Sequence, residues 1–270
     1  MFIILTGSSG VGKNTVINHL KKSDDVFKLM PTFTTREKRE GEIEGYPYFF
    51  VTKDQFQDKI KNSEMIEYEH IHNNFYGSSY SVLDENLKDG KVLIKDIGIE
   101  GAQNLSHKIS HLTPVIKVFL TTTKHELVKR LKGRGEKQIK LRLKRYKREQ
   151  GEINKFDYII FNNDLEETCE IIKNIYKINL TDILPTKEVK KLSVKKINKY
   201  ISYLQTGKEL KPIKVAMVGN KLFIVDGHEK FIAGIMANKL VAKQLVHTKK
   251  IVTLNENQLE EWNNLINQSL

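Results

Sequence analysis

The segment GSSGVGKNTV, residues 7–16, decides which fold the sequence predicts. The pattern G-x-x-x-x-G-K-[ST] of a phosphate-binding loop is met here by Gly7, Gly12 and Lys13. The next position normally supplies a hydroxyl group to magnesium, but it is Asn14, and Thr15 comes one step later. The apolar segment FIILTG precedes the loop and helical spacing follows it. Strand, glycine loop and helix in this order predict a phosphate site, because backbone N–H groups and a helix N-terminus then surround an oxyanion.

The composition is typical of a soluble globular protein with room for two modest domains, since 270 residues are 29% charged and 39% hydrophobic. We find no run of about 18 apolar residues, so the sequence predicts no membrane-spanning helix. The N-terminus lacks a basic region and leads straight into the glycine loop, so we interpret it as a first strand and not as a signal peptide. The single cysteine, Cys169, excludes an internal disulfide and a four-cysteine zinc site, which fits a cytoplasmic protein.

Arginine is rare and clustered, whereas lysine is spread over the whole chain. The seven arginines are Arg36, Arg39, Arg130, Arg134, Arg142, Arg145 and Arg148. A guanidinium group holds phosphate with two parallel hydrogen bonds, which lysine does not imitate. We therefore expect both clusters to face phosphates, with a solvated surface as the alternative for the last two arginines.

The net charge of +12 is concentrated near the C-terminus, where the chain has 15 lysines and 7 acidic residues from Pro185 onward. One interpretation is a surface for nucleic acid or another polyanion. The simpler interpretation, which we favour, is a lysine-rich composition that places solvated lysines everywhere.

Apolar strands alternate with helices over residues 1–180, which predicts an α/β domain with a parallel sheet and helices on both faces. The predicted strands lie in FIILTG, KVLIKD, VIKVFLTT and FDYIIFNND, and a long basic helical stretch is broken at residues 133–135. After a boundary near residues 179–186, the pattern predicts a second domain over residues 185–270. Its predicted elements are a helix over 189–204 that ends at Gly207, a hairpin turned at 219–220, a short helix from His228, a strand within 243–254 and a final helix over 255–270.

Four segments of the first 180 residues together resemble the guanylate kinase family. TFTTREKREGEIEGYPYFFV is similar to its acceptor signature, EMIEYEHIHNNFYGS to its guanine-reading segment, VKRLKGRG with LRLKR to its lid, and FNND to its adenine-side strand. The resemblance implies a P-loop nucleoside monophosphate kinase fold, a parallel sheet core with GMP-binding and lid subdomains. It also implies transfer of the γ-phosphoryl group of ATP to GMP or dGMP with Mg²⁺.

The resemblance also implies the roles of individual residues. ATP is implied to contact Ser9, Gly10, Val11, Gly12, Lys13, Asn14, Thr15 and Asn162. GMP is implied to contact Thr32, Arg36, Arg39, Tyr48, Glu67, Tyr76, Ser78 and Asp96. The implied catalytic residues are Lys13, Arg130, Arg134, Arg142 and Asp96, of which the lysine and the three arginines neutralise charge on the phosphates. Glu67 would accept the N1–H and N2–H₂ groups of guanine, a pair that adenine lacks.

Simpler alternatives stand beside some of these roles. Tyr48 and Tyr76 are also compatible with core packing, Glu67 with a surface charge, and Asn162 with a turn cap.

Two departures from the family pattern fall on the metal side of the site. Asn14 replaces the hydroxyl group, and in IKDIGIEG Asp96 matches the first acidic position while Gly98 replaces the second. One interpretation is a GMP-binding sensor or scaffold without turnover. We favour retained activity, because the loop glycines, Lys13 and the lid arginines are all present. Magnesium also keeps several waters, so the Asn14 amide oxygen or a further water can substitute for the hydroxyl group.

The segment LFIVDGHEKFIAG resembles the nucleotide loop of the ParB/sulfiredoxin-like superfamily, whose pattern is G-x-x-R-x-x-A. Gly227 and Ala233 match it, and Lys230 replaces the arginine. His228 stands where sulfiredoxins need cysteine, and only one further helix follows, which disfavours a partition protein with a helix-turn-helix. The D-G-H stretch and the upstream LPTKE are most similar to free serine kinases of the superfamily.

This second resemblance implies a small α+β domain that binds a nucleotide or phosphate. The implied site residues are Glu188, Asp226, Gly227, His228 and Lys230. The alternative is a plain strand-to-helix turn with Asp226 as the N-cap. The expected partners are thus ATP and GMP, with a second nucleotide, nucleic acid and a homodimer left open, and no membrane.

Overall fold

The computed structural model describes every residue except 72, 179–182, 220, 240, 247–250, 252 and 268–270, and residue 71 is described by its backbone alone. Contacts divide the chain into two compact units, one of residues 1–7 and 12–117 and one of residues 8–11 and 118–270. The predicted domain boundary between residues 180 and 185 stays a prediction, because most of that segment lies outside the described residues.

The elements of the first unit begin with a strand and the helix after the glycine loop. In chain order they are β1 (Phe2–Thr6), α1 (Lys13–Ser23), β2 (Phe27–Leu29), β3 (Thr32–Thr34), β4 (Ile43–Glu44), β5 (Pro47–Phe50), α2 (Lys53–Lys61), β6 (Met65–Ile71), β7 (Asn74–Ser79), α3 (Tyr80–Lys88), β8 (Val92–Asp96) and α4 (Ile99–Ile109).

The elements of the second unit follow. The first of these strands, β9, begins three residues before the boundary between the units. They are β9 (Val115–Thr121), α5 (Lys124–Gly133), α6 (Ile139–Gln150), β10 (Tyr158–Phe161), α7 (Leu165–Ile175), β11 (Ile183–Pro185), α8 (Val194–Gln205), β12 (Ile213–Val218), β13 (Lys221–Asp226), α9 (His228–Met236), β14 (Lys243–Leu245) and α10 (Glu256–Asn267).

The predicted parallel core is confirmed in both units. In the first unit β8 lies between β1 and β2 and pairs with each in parallel. The side chains of β1 are all buried, as expected for a strand covered on both sides. In the second unit β9 and β10 are also parallel neighbours. Buried apolar strands followed by helices are therefore the reason for this architecture.

A second sheet in the first unit carries most of the predicted acceptor residues. Its strand order is β4-β5-β3-β7-β6. β6 and β7 form an antiparallel hairpin in which Glu67 lies opposite Ser78 and Glu69 opposite Tyr76. Thr32 of β3 lies opposite Tyr48 of β5. Residues from distant parts of the sequence therefore share one surface.

The strands of residues 183–245 continue the sheet of β9 and β10. The order in the second unit is β9-β10-β14-β12-β13-β11, with β14 parallel to both β10 and β12. β12 and β13 are antiparallel, which confirms the predicted hairpin pairing, although residue 220 of its turn lies outside the described residues. The strands β11 to β14 therefore belong to the same sheet as β9 and β10, because β14 pairs with the edge of β10.

One helix boundary differs from the predictions. The helix predicted from residue 189 begins at Val194, because Ser193 caps it by accepting the Lys196 N–H, and residues 189–191 form a separate 3₁₀ turn. The final helix is described as far as Asn267, and its predicted end at residue 270 lies outside the described residues. Among the helices in the described ranges, none is both long and apolar enough to cross a membrane.

Trp262 provides a test of how α10 is held. Its side chain is 1% exposed, and its Nε1–H donates to the Lys187 carbonyl oxygen at 2.6 Å. We expect Trp262→Ala to lower the free energy of unfolding by about 3–5 kcal/mol, because a large buried side chain is lost. Trp262→Phe should cost about 1–3 kcal/mol, because it leaves the carbonyl unpaired. Urea unfolding followed by circular dichroism measures both.

The matched control is Asn263→Ala, an exposed neighbour that should change stability by no more than about 0.5 kcal/mol. A wild-type midpoint for Trp262→Ala would show that α10 does not stabilise this unit.

Candidate active site

The glycine loop between β1 and α1 adopts a conformation that only glycine accepts easily. Gly10 and Gly12 have φ values of 97° and 99°. A Cβ atom at Gly10 would lie 3.0 Å from Leu131 Cδ2, so a side chain there would also press against this leucine. Gly12 is the N-cap of α1, and no side chain caps this helix end. The loop therefore presents its own backbone N–H groups at the helix N-terminus, as a phosphate site requires.

The carbonyl oxygen of Val11 is the anchor of the loop within the second unit. It accepts from Arg130 Nη1 at 3.1 Å and from Asn162 Nδ2 at 2.8 Å. Arg130 Nη2 also donates to the Asn162 carbonyl oxygen at 2.8 Å, and its Nε donates to Glu126. In this arrangement Arg130 and the buried Asn162 shape the loop. The predicted contact of Asn162 with adenine stays a prediction.

The other two lid arginines meet at Glu136. Arg142 Nε donates to Glu136 Oε2 at 3.0 Å, and Arg134 Nη2 lies 3.8 Å from the same oxygen and donates to Ser9 Oγ at 2.8 Å. The N–H of Gln138 and the Arg142 guanidinium group lower the pKa of Glu136 below its ordinary value. Glu136 lies between α5 and α6 and was missed by sequence reasoning; it holds both Arg134 and Arg142.

Lys13 and Asp96 meet in the first unit. Lys13 Nζ donates to the Gly7 carbonyl oxygen at 2.5 Å and lies 3.8 Å from Asp96 Oδ1. Burial raises the pKa of Asp96, while Lys13 and Lys95 oppose that rise. The lysine of the loop and the first acidic residue of the predicted metal side are therefore neighbours.

A cavity of about 380 Å³ beside Asp96 brings together most of the predicted acceptor residues. It is lined by Thr32, Tyr48, Glu67, Glu69, Tyr76, Gly77, Lys95, Asp96, Ile97 and Gly98. Glu67 is 8% exposed, so the surface-charge alternative for it is wrong. Ser78 Oγ, which is fully buried, donates to Glu67 Oε1 at 2.5 Å. The rings of Tyr48 and Tyr76 meet edge to face at 6.0 Å on one side of this cavity.

Arg36 is already engaged by a carboxylate. Its Nη2 donates to both oxygens of Glu42, at 2.7 Å and 3.0 Å, and its guanidinium group lies 5.3 Å from the centre of the Tyr48 ring. This bond raises the pKa of Arg36 and lowers that of Glu42. The backbone N–H of Arg39 donates to the same carboxylate, and its side chain is exposed. Glu42 therefore organises both predicted phosphate-clamping residues.

Oxygen donors suited to a hard divalent cation lie on the predicted metal side. Asn14 and Asp96 both line a second cavity of about 410 Å³ in the first unit. Among the described residues there is no group of three or more His, Cys, Asp and Glu side chains that could hold a metal. Magnesium bound to phosphates needs only one or two protein ligands, so this donor set fits it. Asn14 and Thr15 are exposed.

All predicted residues of the C-terminal site except Glu188 lie at the turn into α9 or in its first turn. Gly227 has a φ of 96° and is the N-cap, so the alternative that made Asp226 the N-cap is wrong. His228 is 5% exposed, and its Nε2 accepts the Thr186 N–H at 3.1 Å. Burial lowers the pKa of His228 to about 4, so the ring is neutral at pH 7. Glu188 pairs with Lys190 and Lys191, Asp226 is exposed and Lys230 is half-buried.

Two further residues near the site escaped sequence reasoning. Glu149 is buried and pairs with Arg145 at 2.8 Å and with Ser8 of the loop, whereas Arg148 is exposed. Lys95 is 4% exposed at the base of the acceptor cavity. The position of Lys95 inside the apolar segment KVLIKD could have indicated a buried and paired lysine, because lysine is almost never fully buried unless it is paired.

A parallel sheet, a glycine loop leading into a helix, a loop lysine and a set of arginines define a phosphate-loop kinase. A family model described as guanylate kinase matches residues 1–178. The guanylate kinase of Fusobacterium nucleatum is 35% identical over 175 residues, which is 64% of this chain and 93% of that protein. The one from Mycoplasmoides gallisepticum is 37% identical over 180 residues, which is 65% of this chain and 91% of that protein.

The structural comparison agrees with these matches. The crystal structure of guanylate kinase from Anaplasma phagocytophilum aligns with a TM-score of 0.50 at 28% identity, covering 66% of this chain and 84% of that one. The chain belongs to the guanylate kinase family. It is thus an ATP:GMP phosphotransferase by membership, its substrates are nucleotides, and enzymes of this family generally need a divalent metal.

The anchor at Val11 yields a prediction for Arg130. Lysine has one compact charged group and cannot reach the Val11 and Asn162 carbonyl oxygens together as the guanidinium fork does. We expect Arg130→Lys to lower kcat/KM for ATP by at least about tenfold, because hydrogen bonds to charged groups contribute about 1.5–3 kcal/mol. Steady-state kinetics with varied ATP measures this. Lys129→Arg, at an exposed neighbour, is the control, and a wild-type kcat/KM for Arg130→Lys would contradict the anchoring role.

Proposed function

We propose that this chain transfers the γ-phosphoryl group of ATP to GMP with the residues of the glycine loop, the acceptor cavity and the lid arginines. The observation that carries the proposal is in the first unit. Glu67, Tyr48, Tyr76 and Asp96 line one cavity, and Lys13 lies 3.8 Å from Asp96. A site that selects a base and its phosphate therefore lies beside the lysine that the donor phosphates require.

The acceptor cavity is suited to guanine. Glu67 is a buried acceptor that Ser78 already orients, and guanine offers its carboxylate the N1–H and N2–H₂ donors. Adenine lacks this pair of donors and would leave the carboxylate unpaired, which is a large penalty for a buried charge.

The acceptor phosphate would replace a carboxylate at Arg36. Glu42 now holds this guanidinium group through two hydrogen bonds, and a phosphate dianion offers the same geometry with more charge. The hydroxyl groups of Tyr48 and Tyr76 and the side chain of Arg39 complete the proposed clamp. Ionic partners thus keep the arginine in place before GMP binds.

Phosphoryl transfer itself needs positioning and charge neutralisation more than covalent chemistry by the protein. An oxygen of the GMP phosphate forms a bond to the γ-phosphorus of ATP, the bond from that phosphorus to the β–γ bridging oxygen breaks, and ADP leaves. Lys13 and the N–H groups of the loop would hold the donor phosphates, and Arg134 and Arg142 would neutralise the group in transfer.

Magnesium is the divalent cation that we propose for this site. Asn14 would hold it through its amide oxygen, with Asp96 on the same cavity wall. When bound, the ion neutralises charge on the donor phosphates.

The first test is ADP production from ATP and Mg²⁺ with GMP, AMP, CMP and UMP in turn. We expect turnover with GMP alone, and a loss of at least about a hundredfold in Lys13→Ala, because the variant lacks the cation at the donor phosphates. Lys22→Ala, on α1 outside the site, is the matched control. Equilibrium binding of GMP without turnover in the wild type would instead support the sensor or scaffold alternative.

For the C-terminal residues we propose a ParB/sulfiredoxin-like domain that binds a nucleotide or another phosphate compound. Its support is the left-handed turn at Gly227, which opens α9 directly after β13 with no side-chain cap. Lys230 lies one turn into that helix, where its ammonium group adds to the positive end of the helix dipole. His228 packs below this turn against Trp262, with ring centres 5.9 Å apart.

A second candidate for these residues is a nucleic-acid surface on α8. Lys195, Lys196 and Lys199 are exposed on this helix, and the Tyr203 ring has the ammonium groups of Lys199 and Lys208 at 5.8 Å and 4.9 Å. Cationic groups beside an exposed aromatic ring suit phosphates and bases.

Pyrophosphate binding separates the two C-terminal candidates. In the Lys13→Ala chain, we expect Lys230→Met to weaken pyrophosphate binding at least about fivefold in calorimetry, because a cation is lost at the α9 N-terminus. Lys239→Met, at an exposed residue beyond α9, should have no effect. Equal affinities of the two variants would refute the α9 site. A salt-dependent DNA affinity that falls in Lys199→Ala would favour the α8 surface.

A further inference from the structure

A lysine side chain lies buried in the cavity that the base is proposed to occupy. Lys95 belongs to β8, between the apolar strands β1 and β2, and is 4% exposed. In the sheet register, Lys95 lies opposite Ile4 of β1. The preceding residue of β8, Ile94, lies opposite Leu29 of β2. Burying a cation in such surroundings is costly unless it is paired, so this lysine requires an explanation.

The ammonium group contacts residues of two different strands, and a third strand supplies a partner for one of them. Lys95 Nζ donates to Thr32 Oγ1 of β3 at 2.7 Å and lies 3.7 Å from Glu67 Oε1 of β6. The same Glu67 oxygen accepts from Ser78 Oγ of β7 at 2.5 Å. Burial lowers the pKa of Lys95, while Glu67 and then Asp96 oppose that shift. Thr32, Lys95, Glu67 and Ser78 therefore form one connected buried network.

Other charged and titratable groups also surround this network, and Lys95 is the cation paired with Glu67. Those that line the cavity are Glu69 on β6, Asp96 on β8, Tyr48 on β5 and Tyr76 on β7, and two further lysines, Lys13 on α1 and Lys108 on α4, contact residues next to the network in sequence. Lys13 lies against Asp96, and Lys108 donates to the Ile66 carbonyl oxygen. These contacts assign the other two lysines to other partners.

We propose that Lys95 is a positioning residue for base recognition: it compensates the buried charge of Glu67 and, with Thr32 and Ser78, fixes the carboxylate as a hydrogen-bond acceptor. The proposal rests on the proposed role of Glu67 in reading guanine. An ionised carboxylate only accepts hydrogen bonds, whereas a protonated one donates from one oxygen. Guanine offers two donors, so the charged form is the one that binds it. The Lys95 charge therefore acts on GMP affinity and not on the phosphoryl transfer.

The experiment is a double-mutant cycle on KM and kcat for GMP with Lys95→Met, Glu67→Gln and the double variant. Methionine keeps the length and packing of the lysine and removes its charge. We expect Lys95→Met to raise KM for GMP at least about tenfold at pH 7, with kcat within about twofold of wild type.

The cycle distinguishes this proposal from the one on which it rests. Glu67→Gln should raise KM for GMP, and adding Lys95→Met to it should change KM little further, because there is no carboxylate left to compensate. If Glu67→Gln leaves KM unchanged, the base-reading role of Glu67 fails. If Glu67→Gln raises KM but Lys95→Met does not, or if the two effects are additive, the Lys95 proposal alone is overturned.

Thermal unfolding by circular dichroism shows whether Lys95→Met folds. If Lys95→Met does not fold, Thr32→Val takes its place in the same cycle with Glu67→Gln. Valine removes the hydroxyl group that accepts from the Lys95 ammonium group. A rise in KM of at least about threefold that disappears in the Glu67→Gln background supports the proposal. A rise that persists there overturns it.

Discussion

The carbonyl oxygen of Val11 is the atom on which the phosphate loop depends. Arg130 and Asn162 both donate to it, so its two lone pairs are used. A trans peptide is planar, and its C=O and N–H groups point in opposite directions. Fixing the Val11 carbonyl therefore also fixes the plane of the peptide between Val11 and Gly12, and with it the direction of the Gly12 N–H. The guanidinium group and the amide thus orient a donor of the loop.

The cations of the site are already paired with carboxylates, and this sets the energetics of phosphate binding. Arg36 is paired with Glu42, Arg142 with Glu136, and Lys13 with Asp96. A phosphate that binds to one of these cations replaces a carboxylate, so the net gain is smaller than a bare charge pair would give. The partners also hold long side chains in a few conformations, which lowers the entropy lost on binding. Pairing with carboxylates thus lowers the affinity of these cations for phosphate, but it holds their side chains in a defined geometry.

Sequence patterns predicted the buried strands of the core, the loop and the arginine clusters, because each of these is formed by residues close together in the chain. The Lys95 network was beyond such patterns. Its partner Thr32 is 63 residues away, and the register between β6 and β7 decides that Ser78 faces Glu67. Pairings of this kind depend on which strands become neighbours, which periodicity does not encode. The lysine within an apolar strand marked the position but not its partner.

The pairing of β14 with β10 shows why residues after the family match belong to the same unit as the lid. The match ends at residue 178, and β10 lies within it. Without β14, β10 would have β9 on one side and unpaired backbone groups on the other. An open edge strand invites association with other chains, and covering it is a common solution. β14 covers it in parallel, with Tyr158 opposite Lys243, and Lys243 is buried with its ammonium group 5.2 Å from the centre of the Tyr158 ring. The C-terminal segment is thus joined to β10 by sheet hydrogen bonds as well as by the chain, so its attachment has a structural reason that is independent of any ligand it binds.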